Sequence, residues 1–236
     1  MIDRHIMRRL NQSLQQQDTD GLSSPDDEIP WTKLEDVCEI TSPWVTMRCE
    51  RLLQPGPSSS GTTTTTADHK SVDYWRVEKA ASCVVITQHR DRLILPKRQY
   101  RPGIQKYTLD FCGGRCSVDD PEDSVRKIVH RELGVGDTDD VIESIVPLNS
   151  SQSSNGSPIG HAGWIINSSF SNQLLFGYAV RLRDEVILDE ELYLHPISYD
   201  TDGFELLETL SCLQCRAVLM EWMIQKQMLK KNRTNK

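Results

Sequence analysis

The sequence predicts an α+β fold, an α/β/α sandwich around a mixed β-sheet with an N-terminal antiparallel strand extension. Three observations predict it: short β-prone runs precede one amphipathic helix, further strands follow that helix, and the end of the chain is helical. The 236 residues, 37% of them hydrophobic, suffice for one sizeable core. That core is assigned to one domain over residues 31–230, with margins at 1–30 and 231–236.

Taken in order, Ile2, Ile6, Leu10 and Leu14 recur every four residues with Arg4, Arg8 and Arg9 between them. The spacing fits either an amphipathic organelle-targeting helix or a partly helical tail. Residues 11–30, rich in Gln, Asp and Ser, have too few apolar anchors to repay the entropy of ordering and are expected to be disordered. Order is expected from Trp31. In "WVTMRCERL" the alternation of Val45, Met47 and Cys49 with Thr46, Arg48 and Glu50 has the period of a half-buried strand. "QPGPSSSGTTTTTADHK" breaks it as a flexible insertion over 54–71, and "VDYWRVE" resumes the strand pattern.

"ASCVVIT" and "RLILPKRQY", separated by the charged turn "QHRDR", predict an antiparallel pair in the core. "YTLDF" reads as a short strand ending at "CGG", where Gly113 and Gly114 would permit a positive-φ turn. A helix follows. Asp119 and Asp120 supply capping carboxylates, Pro121 suits the first turn, Val125, Ile128, Val129 and Leu133 form an apolar stripe, and Gly134 stops it. "VIESIVPL", "GWIIN" and "LLFGYAVRL" are strands, with a Ser/Asn/Gly loop from Asn149 to Gly160. "FELLETLSCLQCRAVLMEWMIQKQMLKK" reads as helix, with Leu206, Leu210, Leu213, Ala217, Met220 and Met223 or Ile224 near one face.

A formal charge of −7 and a pI near 5.4 argue against nucleic acid or an anionic membrane as partner, while leaving room for a local phosphate site. No run of 18 apolar residues and no apolar export core occur, so the expected location is cytoplasmic, or mitochondrial if the first residues form a targeting helix. Seven irregularly spaced cysteines then predict reduced thiols, and the acceptor triplets at Asn149, Asn155 and Asn167 are expected to stay unglycosylated. Cys212-x-x-Cys215 with Cys112-x3-Cys116 fits a four-thiolate zinc site or, alternatively, small hydrophobes in an apolar helix.

The helix and its approach resemble the Nudix hydrolase family, in its ADP-ribose pyrophosphatase branch. The family's box, G-x5-E-x7-R-E-U-x-E-E-x-G-U with U an apolar residue, fits without a gap when its final Gly-U falls on Gly134 and Val135. Its opening Gly is then Gly113 and its first acid Asp119. The helical positions that hold carboxylates in the family carry Ile128, Arg131 and Glu132 here. "LILPKRQYR" is similar to the strand with a Val-Arg-Gln-Tyr-Arg core, and "LDFCGG" to the Leu-Glu-Leu-Pro-Ala-Gly approach. In "NSSFSNQLLFGYA", two acidic positions of the family loop fall on Asn172 and Gln173.

Carboxylates at i, i+3 and i+4 lie on one helix face and converge on a divalent cation. Such a cation would neutralise a diphosphate and activate water. An apolar side chain donates nothing to Mg²⁺ and a guanidinium repels it, so the box is depleted. The resemblance implies a ligand of the ADP-ribose or nucleotide-sugar type, a nucleoside diphosphate linked to another group. Hydrolysis to a nucleoside monophosphate and a sugar phosphate would be weak or lost. Glu132 is the expected catalytic residue and, with Asp119, the expected holder of Mg²⁺ or Mn²⁺. Arg98 and Arg101, with Gly113 and Gly114, would receive the diphosphate. The alternative is a non-catalytic interaction module, a homodimer formed through the early strands.

Overall fold

A computed structural model describes residues 31–54, 70–136, 138–148, 163–197 and 202–234. The expected tail over 1–30, most of the insertion over 54–71, the loop from Asn149 to Gly160, and Asn235 and Lys236 lie outside the described residues. Strands β1 (Thr32–Thr41), β2 (Thr46–Leu53) and β3 (Ser71–Glu78) form a three-stranded sheet in that order. The described residues cluster into two compact units, the first within 31–38 and 49–74, the second within 39–48 and 75–234.

In the first unit charge pairs link strands that bury little. Arg51 pairs with Glu35 and, through Nε at 2.8 Å, with Asp73, while Lys33 reaches Asp36 at 2.6 Å and Glu50 at 3.0 Å. The Arg51 guanidinium holds the Asp73 carboxyl below its ordinary value. β1, absent from the sequence reading, is exposed along its whole length.

The second unit is built on a seven-stranded mixed sheet, a consequence of apolar runs long enough to be buried on both faces. Its central strands are β4 (Ser82–His89) and β11 (Leu174–Leu182), paired in parallel from Ser82↔Leu175 to Leu182↔His89. The free edge of β4 pairs antiparallel with β8 (Cys112–Arg115) and then with β5 (Arg92–Leu95). The free edge of β11 takes β10 (Trp164–Ile165) and β9 (Ile142–Pro147), and β12 (Tyr193–Pro196) closes the β5 side. Alternation sends Cys83, Val85, Phe176, Tyr178 and Val180 to one face, under helix α1 (Pro121–Leu133), whose Val125, Ile128, Val129 and Leu133 join that cluster. Val84, Ile86 and Leu175 point to the other face, against helices α3 (Asp202–Thr209) and α4 (Leu213–Thr234). A single turn, α2 (Thr138–Val141), precedes β9.

This is the expected α+β architecture, with local corrections. "RLILPKRQY" is two strands, because Pro96 cannot continue the ladder; β6 (Gln99–Arg101) instead pairs with β7 (Lys106–Thr108). "CGG" is no turn: Gly113 and Gly114 lie in β8, and the positive φ values among the described residues belong to Arg90, Gln105 and Gly134. Close approach explains those two glycines. A Cβ on Gly113 would stand 3.1 Å from the Cys83 carbonyl oxygen, and one on Gly114 3.0 Å from Arg131 Nη2 and 3.3 Å from Ile128. The N-cap of α1 is Asp120, which accepts from the Asp123 N–H at 3.0 Å; Asp119 is exposed before it. The terminal helix is broken between Thr209 and Leu213 and extends to Thr234. Its buried face carries Leu206, Leu210, Cys215, Val218, Leu219 and Trp222, whereas Leu213 and Met220 are exposed. The break shifts the register that an unbroken helix would have kept.

Candidate functional site

A cavity of about 780 Å³ opens in the second unit over the β8 glycines. Strand β6, the end of α1, the residues after β3 and the start of α4 complete its wall. Glu132 enters it from the last turn of α1 with its side chain 16% exposed. Both carboxylate oxygens are already engaged. Oε1 accepts from Arg131 Nε at 2.9 Å and Nη2 at 2.7 Å, and Oε2 accepts from Gln99 Nε2 at 3.0 Å. The same Arg131 Nη2 donates to the Gly113 carbonyl at 3.0 Å. Helix geometry and the side-chain-free glycine edge thus bring a guanidinium against the surviving acid.

These residues do not fit Mg²⁺. Ile128 is 2% exposed and packed in the core, Arg131 contributes a fixed positive charge, and Lys127 pairs with Asp123 at 2.5 Å on the outside of the helix. Asp119 precedes the opposite end of α1, so Glu132 lies on the order of 20 Å away along the axis. The two expected metal ligands are therefore not brought together. Gln173 lines the cavity and donates to the Ala80 carbonyl at 3.2 Å, while Asn172 accepts from the Lys79 N–H at 3.2 Å. Neither is a base for water at neutral pH.

Of the expected diphosphate grip, Arg101, Gly113 and Gly114 line the cavity, and Arg98 is exposed and does not. Arg101 is committed in part: its Nε and Nη2 lie 2.8 and 2.7 Å from Oδ2 of the buried Asp110, which also accepts from Thr108 Oγ1 at 2.8 Å. Sequence reasoning missed Lys79, Arg115 and Trp44. Trp44 is 74% exposed, and the Arg115 guanidinium sits 4.6 Å over its ring while donating to the Pro43 carbonyl at 3.0 Å. The signal available in the sequence was a Trp directly after the turn pair Ser42-Pro43, outside any strand interior.

The four-thiolate zinc site does not form among the described residues. Cys112 is buried in the cluster under α1, where desolvation pushes its thiol up to about 12, and Cys215 belongs to the opposite cluster. At the start of α4 the Cys215 thiol hydrogen-bonds to Cys212, and this bond, joined by the N–H groups of Cys215 and Gln214, pushes the Cys212 thiol down to about 6. The same bond and burial push Cys215 up.

No sequence-family model matches the chain, and no curated protein does. A solved structure does: the crystal structure of ADP compounds hydrolase, at 16% identity and a TM-score of 0.56, over 86% of this chain and 96% of that one. The likeness gives this chain a Nudix-type α+β fold. No helix among the described residues is long and apolar enough to cross a membrane.

Proposed function

We propose that this chain uses a Nudix-type fold to bind a nucleoside diphosphate linked to a second group, such as ADP-ribose or a nucleotide sugar, without metal-dependent hydrolysis. The observation that carries the proposal is the Arg131 guanidinium held between Glu132 and the Gly113 carbonyl, a built-in cation beside the residual acid. The similarity to ADP compounds hydrolase supports the class of ligand. In this reading the base stacks on the exposed Trp44, and Lys79, Arg101 and Arg115 face the diphosphate across the cavity. Gln173 stands where the family loop carries an acid, and its amide cannot draw a proton from water at neutral pH.

Calorimetry with ADP-ribose, with and without Mg²⁺, tests the binding, and AMP release tests the chemistry. The expected result is binding that does not need Mg²⁺ and is weakened roughly five- to hundredfold by Trp44→Ala. Robust Mg²⁺-dependent AMP release, abolished by Glu132→Gln, would refute the proposal. A second reading, a homodimer through the early strands, is favoured by β1, where Leu34, Val37 and Ile40 are 51%, 43% and 60% exposed. Light scattering tests it: a monomer at high concentration excludes it.

A further inference from the structure

The entry to α4 gathers three ligating groups that the nucleotide reading leaves unused. Cys212 caps the helix: its carbonyl accepts the Arg216 N–H at 3.0 Å, and Cys215 is the third helical residue, turned inward at 3% exposure. This cap spacing sets the two sulfurs side by side. Asp110, 8% exposed, arrives from the segment between β7 and β8. The two sulfurs and a carboxylate oxygen all lie within 4.8 Å of one another.

Asp110 is also held in place with one oxygen spare. Its Oδ2 takes Arg101 and Thr108, while Oδ1 is buried without a hydrogen-bond partner. A divalent cation held by this carboxylate and by the two sulfurs, once these lose their protons, would satisfy the buried oxygen that has no donor. The sulfurs decide which cation. Mg²⁺ and Ca²⁺ take oxygen ligands, whereas two thiolates and one carboxylate suit zinc, whose tetrahedral edges of about 3.7 Å fall inside the 4.8 Å limit. Arg101 and Thr108 orient the carboxylate from behind, and the N-terminus of α4 favours the anionic sulfurs.

We propose that Asp110, Cys212 and Cys215 form a zinc site with three protein ligands. All three residues line the cavity, so the fourth position faces it and takes water or an anionic oxygen of a bound ligand. Binding exchanges the two thiol protons for the metal, so Zn²⁺ entry releases up to two protons to solvent. The same Cys-x-x-Cys spacing at a helix start would serve a dithiol that oxidises to a disulfide. Asp110 separates the two, because a carboxylate ligates a metal and contributes nothing to a disulfide.

The full chain, reduced and stripped with a chelator, is titrated with Zn²⁺ against a chromophoric competitor, and in parallel with Co²⁺. The expected result is equimolar binding, proton release, and a cobalt spectrum with thiolate charge-transfer bands and the visible bands of four-coordinate metal. Cys212→Ser and Cys215→Ser should abolish it, Asp110→Asn should weaken it by about tenfold or more, and Cys38→Ser, at an exposed thiol, should leave it unchanged. Should the buried Cys215 variant fail to fold, the half-buried Cys212 variant still decides. Zinc bound no more tightly by the native chain than by Cys212→Ser overturns the site. So does an octahedral cobalt spectrum without thiolate bands.

Discussion

Replacing Arg131 by Gln should create an affinity for divalent cations that the native chain lacks. A cation on a Glu132 oxygen would sit about 4 Å from the guanidinium, which lies 2.7 Å from that same oxygen. With water-like screening, suitable for a side chain 58% exposed, a double charge facing a single one at that distance is repelled by roughly 2 kcal/mol. That corresponds to roughly thirtyfold in affinity. The substitution also frees Oε1, which among the described residues accepts from Arg131 alone. The assay is Mn²⁺ binding followed by water proton relaxation, with Glu132→Gln in the Arg131→Gln background as control. The variant should bind Mn²⁺ at least about tenfold more tightly than the native chain, and the control should lose the gain. Equal Mn²⁺ affinity in the native chain and the variant would show that the guanidinium does not exclude the ion.

Restoring an acid one turn earlier should fail differently: Ile128→Glu puts a carboxylate at a 2% exposed site against Gly114, and is expected to cost several kcal/mol, read as a lowered melting temperature without gained hydrolysis. Gly113→Ala should destabilise by about 1–3 kcal/mol, since its Cβ meets the backbone oxygen of Cys83, and Gly114→Ala by less, since the nearest atom there ends the flexible Arg131 side chain. Urea unfolding of both orders them; the reverse order contradicts the packing. The folded Asp73 carboxyl titrates below its unfolded value of about 3.9, so its pair with Arg51 stabilises above that pH and is lost as pH falls through the lower folded value. A carboxyl titration by NMR should place its midpoint below about 3.9, and Arg51→Gln should return it to the ordinary range.

The elements legible in the sequence were those whose local pattern and burial agree. The stripe on α1, its proline at the start and its glycine stop are all local signals, and "LLFGYAVRL" forms β11 as read. β1 escaped notice because its charged and apolar residues are all exposed and leave no alternation to read. The break at Leu210 to Cys212 carries one cue, Ser211, but no glycine or proline to stop a helix, and Cys212 at its end lines the cavity. The depletion of the box could be read from Ile128 and Arg131. What Arg131 does instead could not, because its acceptor on Gly113 is 18 residues away in sequence and supplied by a neighbouring strand.

The parallel register between β4 and β11 bears on how the chain is made. On a ribosome, Ser82 emerges about 90 residues before its partner Leu175, and β4 in that interval offers an unfilled apolar edge with only β5 and β8 available from nearby sequence. Synthesis of the second unit therefore passes through a stage that can pair with the wrong strand, and its yield in cells should depend on how quickly the last third of the chain arrives.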